Sequence, residues 1–317
     1  MLADADVVEY CARFLLSIVY FSFSLTTATL ILFYASLFGD DHVFAKRVRA
    51  IFGVLTCAPW LLCFGVRLAV KNERSVFSNE LDHETVNIGT HASHIDGLAM
   101  MVVYWRNRHR CLPPCAVVKR EVLFTPFYGL FALFVGNVFV SRGSTKAAAI
   151  ESMDKVGERL RNGYVVGAFP EGSRRRAPST GKDHLLPFKK GVFHMVQKMV
   201  VTKGLKITLS PFCLVGSRSA WPKGRLIPKP RSKIFLQFCD PIEATTSEDA
   251  QALCERTKSA IEFAIEEAAR SSDGLYDIDS AFEKGVEVDL RQEFLLNAIL
   301  LCIPCLCTLT LGLLGLL

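Results

Sequence analysis

Two long uncharged stretches, one towards each end of the chain, constrain its fold more than any other feature. Phe14 to Phe38 runs for 25 residues without a charged side chain, and Phe294 to Leu317 for 24. At about 1.5 Å of rise per residue, either stretch as a helix would cover the roughly 30 Å hydrocarbon core of a bilayer. The first does not read as a cleaved leader: Asp4, Asp6 and Glu9 precede it against a single Arg13, and its apolar run is too long for an h-region. After a polar connector, Ala50 to Val66 is a second apolar stretch, interrupted by Pro59 and bounded by Arg49 and Arg67. It reads as the other arm of a helical hairpin, either spanning or lying in the interface. The expectation is an N-terminal membrane hairpin in residues 1–72, a polar linker in 271–293 and a C-terminal membrane helix in 294–317, making an integral membrane protein.

Composition supports a folded chain. Half of the residues are hydrophobic and the mean hydropathy is +0.29, which excludes a disordered or collagen-like polymer. The net charge of +6 comes from basic residues spread along the chain, so nothing singles out nucleic acid as a partner, and anionic lipid or phosphate is the simpler match. The 11 cysteines are odd in number and lack paired C-x-x-C spacings, which indicates neither a disulfide framework nor a zinc ribbon. Reduced thiols facing a cytosol fit best.

Residues 73–270 alternate β-rich runs with amphipathic ones, an α/β pattern with a mostly parallel sheet flanked by helices. The expected strands are Val86 to Thr90, Ala116 to Lys119, Asn137 to Ser141, Tyr164 to Ala168, Ile207 to Phe212 and Lys233 to Phe238. Ser144 can cap a helix from Thr145 to Arg161, in which Ala149, Met153, Val156 and Leu160 recur at helical spacing. A second helix is expected from Glu248 to about Arg270, after Thr246 and Ser247.

Four groups of residues carry candidate chemistry. In Thr90-His91-Ala92-Ser93-His94-Ile95-Asp96, a strand end meets a helix start. A carboxylate five positions from an imidazole, across a turn, can fix its tautomer and leave the other nitrogen to take a proton. The alternatives are that Asp96 merely caps the helix beside a surface His91, or that His91, His94 and Asp96 hold a metal, for which the spacing is not standard. No G-x-S-x-G elbow stands nearby, so direct attack by a substrate hydroxyl is favoured over a covalent intermediate.

Phe169-Pro170-Glu171-Gly172-Ser173-Arg174 is a turn rich in donors, suited to an anion. Gly172 permits close backbone approach, Arg174 can fork onto phosphate, and Glu171 can hold that arginine or bind a substrate hydroxyl. Lys119 and Arg142 each close a β-rich run, on the ligand side of an open parallel sheet. Finally, Phe124 to Val140 is 17 uncharged residues with five phenylalanines, read either as core packing or as the wall of a groove for an acyl chain.

Taken in order, His91-x4-Asp96, Gly136-x-x-Phe139-Val140-x-Arg142, Phe169-Pro170-Glu171-Gly172-Ser173-Arg174 and the block Leu185 to Phe193 resemble the H-x4-D glycerolipid acyltransferase family, and within it the 1-acyl-sn-glycerol-3-phosphate acyltransferases. The likeness spans roughly Thr85 to Pro241, with Thr90, Ser141 and Ser173 standing where the family often has Asn, Asp and Thr. It implies transfer of a fatty acyl group from acyl-CoA to the sn-2 hydroxyl of lysophosphatidic acid, giving phosphatidic acid, with no cofactor or metal. His91 and Asp96 would form the catalytic pair, and Lys119, Arg142, Glu171, Gly172 and Arg174 would bind the substrate. The implied partners are lysophosphatidic acid, acyl-CoA and the lipid bilayer, with the domain facing the cytosol, at the endoplasmic reticulum in a eukaryote. Other lysophospholipids or glycerol-3-phosphate as acceptor, a metal-dependent hydrolase, and a membrane lipid-binding protein without turnover remain as rivals.

Overall fold

In the computed structural model, the described residues are 4–37, 39, 42, 45–49, 51, 57–73, 84–106, 113–125, 128–141, 145–173, 185–222, 224–225, 228–269 and 278–292. A long helix α1 (Asp4–Ser36) and a short α2 (Cys57–Cys63) lead into strand β1 (Arg67–Lys71). There follow β2 (Glu84–Gly89), α3 (Ile95–Arg106), β3 (Pro114–Lys119), a 3-10 turn (Arg120–Phe124), α4 (Tyr128–Phe134), β4 (Val138–Val140), α5 (Lys146–Arg161) and β5 (Val165–Ala168). The rest comprises α6 (Gly191–Lys203), β6 (Ile207–Val215), α7 (Ser217–Ala220), β7 (Lys233–Phe238), β8 (Ile242–Glu243), α8 (Ala250–Ala269), α9 (Ile278–Glu283) and β9 (Val286–Glu287).

The strands form one sheet in the order β4-β3-β5-β2-β6-β7-β1-β9, with β8 beside β6. The five from β4 to β6 run parallel to one another. β7 pairs antiparallel to β6 and parallel to β1, which reverses that end of the sheet. Residues alternate between the faces as the β-pleat requires: Ala69 and Phe235 join a core beneath α5, α6 and α8, while Leu68, Val70, Ile234 and Leu236 join one with residues of α2 and α3. The sheet therefore draws β1 from residues 1–72 and β9 from the stretch read as a linker.

Local signals explain the helices. Thr145, not Ser144, caps α5, its hydroxyl accepting the Ala148 N–H at 3.3 Å. Asp249 accepts the Ala252 N–H at 2.7 Å and opens α8 at Ala250, two residues later than expected. Gly204, with φ of 65°, ends α6 in the left-handed cap that a residue without Cβ adopts freely.

The membrane helices expected from the apolar stretches are corrected by the structure. Among the described residues no helix is long and apolar enough to cross a membrane, against the expected membrane hairpin and the integral membrane placement built on it. Within α1, Leu25, Ala28, Leu32 and Ala35, spaced at three and four, are buried in a protein cluster with Phe131 of α4 and Val135. Its first turns are tied to protein as well, by Arg13 donating to the Cys63 carbonyl at 2.7 Å and by the Glu9–Arg231 ion pair at 2.6 Å. Among its described residues the second arm contributes the 7-residue α2, whose Trp60 and Leu61 enter the core with α3. Residues 294–317 lie outside the described residues.

Candidate active site

The C-terminal ends of the parallel strands share one edge of the sheet, and the sequence delivers its polar groups there. β2 leads into the His91 turn, β3 ends on Lys119, β4 is followed by Ser141, and β5 by Phe169 to Gly172. Ligands of open α/β sheets bind at this edge.

His91 Nδ1 lies 3.2 Å from Asp96 Oδ2, and that oxygen also accepts the N–H groups of Ala92 at 2.7 Å and Ser93 at 2.8 Å. An oxygen already accepting two N–H groups acts as an acceptor toward the ring too. Nδ1 therefore carries the hydrogen, and Nε2 keeps the lone pair that can take a proton. Asp96 sits in the first turn of α3 and is fully buried, and its one oxygen both ties the turn ahead of the helix and holds the imidazole. The His91 side chain keeps 25% of its surface accessible. Phe169 stacks on it, with centroids 4.6 Å apart and planes inclined by 16°.

Other contacts fix the turn from below. Ser93 donates to the Trp221 carbonyl at 2.9 Å, and Thr90 accepts the Leu214 N–H of β6 at 3.0 Å. His94, the third residue of the metal alternative, packs its ring against Trp221 at 5.1 Å. Among the described residues no group of three or more His, Cys, Asp and Glu side chains is arranged to hold a metal ion.

Phe169, which stacks on His91, also lines a cavity of about 590 Å³ between the ends of β3, β4 and β5 and the helices α5 and α6. Val117, Val140, Met153 and Val192 give it apolar walls, and Lys119, Gly172, Ser173 and Lys189 supply its polar lining. Gly172 has φ of 66°, and a Cβ there would lie 2.8 Å from Lys189 Cε, so the lysine stem passes where any other residue would carry a side chain. Of the sequence-derived substrate-binding residues, Lys119 and Gly172 meet in this cavity. Glu171 lies beneath, its carboxylate accepting the N–H groups of His91 at 2.9 Å and Leu186 at 3.1 Å. Arg142 and Arg174 lie outside the described residues, although their neighbours Ser141 and Ser173 line the cavity.

Sequence reasoning left Lys189 without a role, and the stack of Phe169 on His91 was not anticipated. The signal for Lys189 was its place in the Leu185 to Phe193 block. Nothing local to Phe169 announces the stack, which depends on β2 and β5 being neighbours.

A sequence profile of the Acyltransferase family matches residues 67–215. The 1-acyl-sn-glycerol-3-phosphate acyltransferase alpha of Homo sapiens is 27% identical over 200 residues, covering 62% of this chain and 63% of that protein. The 1-acyl-sn-glycerol-3-phosphate acyltransferase of Limnanthes alba is 30% identical over 202 residues, covering 62% of each. The chain thus spans less than two thirds of the length of these relatives. The crystal structure of the 1-acyl-sn-glycerophosphate (LPA) acyltransferase PlsC from Thermotoga maritima shares the fold, with a TM-score of 0.58 and 21% identity over 83% of this chain and 99% of that one. With its histidine and aspartate in contact at the sheet edge, the chain is similar across its central domain to the Acyltransferase family and to proteins named 1-acyl-sn-glycerol-3-phosphate acyltransferases.

Proposed function

We propose that the protein transfers a fatty acyl group from acyl-CoA to the sn-2 hydroxyl of 1-acyl-sn-glycerol-3-phosphate, giving phosphatidic acid. The observation that carries this reading is the contact of His91 with Asp96, joined through Phe169 to a cavity that combines apolar walls with Lys119 and Lys189. Binding a lipid needs the cavity and the cations. It does not need an imidazole with a steered tautomer.

In the proposed reaction His91 Nε2 takes the proton of the acceptor hydroxyl as its oxygen attacks the thioester carbonyl. The carbon–sulfur bond then breaks, and the proton passes to the departing thiol, so no covalent enzyme intermediate forms. Asp96 holds the ring and offsets the positive charge that develops on it. Lys119 and Lys189, with Arg142 and Arg174, would receive the phosphate, and the apolar wall a fatty chain. The chemistry calls on no metal or prosthetic group.

The test is His91→Ala assayed with acyl-CoA and lysophosphatidic acid, beside a panel of other lysophospholipids and glycerol-3-phosphate. A fall of about 10² to 10⁴ in rate is expected from losing a general base. Retained turnover, or a marked preference for another acceptor, would replace this assignment, and inhibition by chelators would favour the metal-dependent hydrolase.

A further inference from the structure

Glu171 is only 3% exposed, which is unusual for a carboxylate in a turn beside an open cavity. Each of its oxygens faces a backbone amide, Oε1 that of His91 and Oε2 that of Leu186. The Lys189 N–H donates to the Pro170 carbonyl at 2.9 Å, so the turn after β5 is joined twice to the segment that leads into α6. One side chain therefore ties together the turn bearing the base, the turn bearing Gly172, and the strand of chain bearing Lys189.

We infer that Glu171 is a positioning residue. Its carboxylate sets the backbone of the general base relative to the cationic wall and serves no contact with the acceptor. The inference rests on the acyl-transfer reading above, because it concerns the rate of that reaction. A carboxylate suits the task since both of its oxygens are acceptors and charge-assisted bonds to N–H groups are strong. Glutamine has the same volume, but its NH₂ would confront one of the two N–H donors, releasing one tie and keeping the other.

Glu171→Gln is expected to lower kcat by about 100-fold, the scale of a small misplacement of reacting groups. KM for lysophosphatidic acid should stay within about threefold, since a lost substrate contact would act on KM instead. A raised KM with kcat kept, or no change in either, would overturn the inference. In case the variant does not fold, amide hydrogen exchange on the unaltered protein without substrate gives a second reading. The amides of His91 and Leu186 should exchange slowly, and exchange at the rate of open loops would overturn the clamp. His91→Ala in the same assay separates the two proposals. If that variant keeps its activity the acyl-transfer reading fails, whereas a KM effect in Glu171→Gln with an inactive His91→Ala removes the positioning role alone.

Discussion

The ring of Phe169 lies flat against the imidazole of His91, and Phe212 of β6 meets Phe169 edge-on from behind at 6.2 Å. His91 is thus braced on its face by a stack rooted in the sheet, as well as along its edge by Asp96. Stacked and edge-to-face pairs are worth about 0.5–1.5 kcal/mol beyond their burial, and 1.36 kcal/mol is about tenfold in rate. Phe169→Ala should therefore cut kcat by roughly tenfold, with Phe169→Tyr close to the parent. Steady-state rates decide it, and equal rates for the alanine variant would mean that the stack does not hold the ring.

Asp96→Asn separates capping from steering. The asparagine carbonyl can still accept the Ala92 and Ser93 N–H groups, so the variant should fold. The charge that offsets an imidazolium is gone, and kcat should fall by about 100-fold or more. Thermal melts alongside the rates check both halves. A large loss of stability with rate per folded molecule preserved would leave Asp96 as a brace of the turn only.

Lys119 and Lys189 line one cavity, one ending β3 and the other just ahead of α6. Replacing either by Met keeps the stem and removes the charge. Each change should raise KM for lysophosphatidic acid by about tenfold and leave kcat nearly unchanged. The penalty should shrink as salt is added and the remaining charges are screened. A neutral acceptor analogue should respond to neither variant, and if it does, the lysines do not meet the phosphate.

On the far side of the domain, Glu267 of α8 accepts from Lys71 of β1 at 2.9 Å and Gln237 of β7 at 2.8 Å. The Lys71 bond, then the Gln237 bond, hold its carboxyl below the ordinary value of 4.5. Folding favours the ionised form, so this stabilisation is present above pH 4.5 and fades as the pH falls through the lower folded value. Thermal midpoints between about pH 3 and 7 should show a shallower acid decline in Glu267→Gln than in the parent. Parallel declines would contradict the linkage.

The legible parts of the fold were those with strong local signals. Lys233 to Phe238 was placed to the residue, and α5 ends at Arg161 as its spacing indicated. The expected strand Ile207 to Phe212 stops short of β6, which continues to Val215; all nine residues are buried, and Phe212 to Val215 pair with β7. β1 was hidden by its position after an apolar stretch, since a short buried strand and the end of a membrane segment look alike in sequence. The membrane reading rested on apolar content alone; in the structure one face of α1, with Leu25, Ala28, Leu32 and Ala35, is covered by protein, while Leu15, Val19, Leu30 and Phe33 stay exposed. At the site, residues joined by a short turn, His91 and Asp96, could be paired from spacing. Lys189 and the backbone partners of Glu171 required knowing which strands are neighbours.

β9 closes the outer flank of β1. Val286 and Glu287 pair with Val70 and Ala69, Arg67 meets Glu287 at 2.6 Å, and the Val288 N–H reaches the Leu68 carbonyl at 2.8 Å. A chain cut after α8 would leave the peptide groups of β1 open along that flank, a ready template for a strand from another molecule. The last described segment thus acts as a guard against self-association, and truncations intended to simplify the protein should begin beyond it.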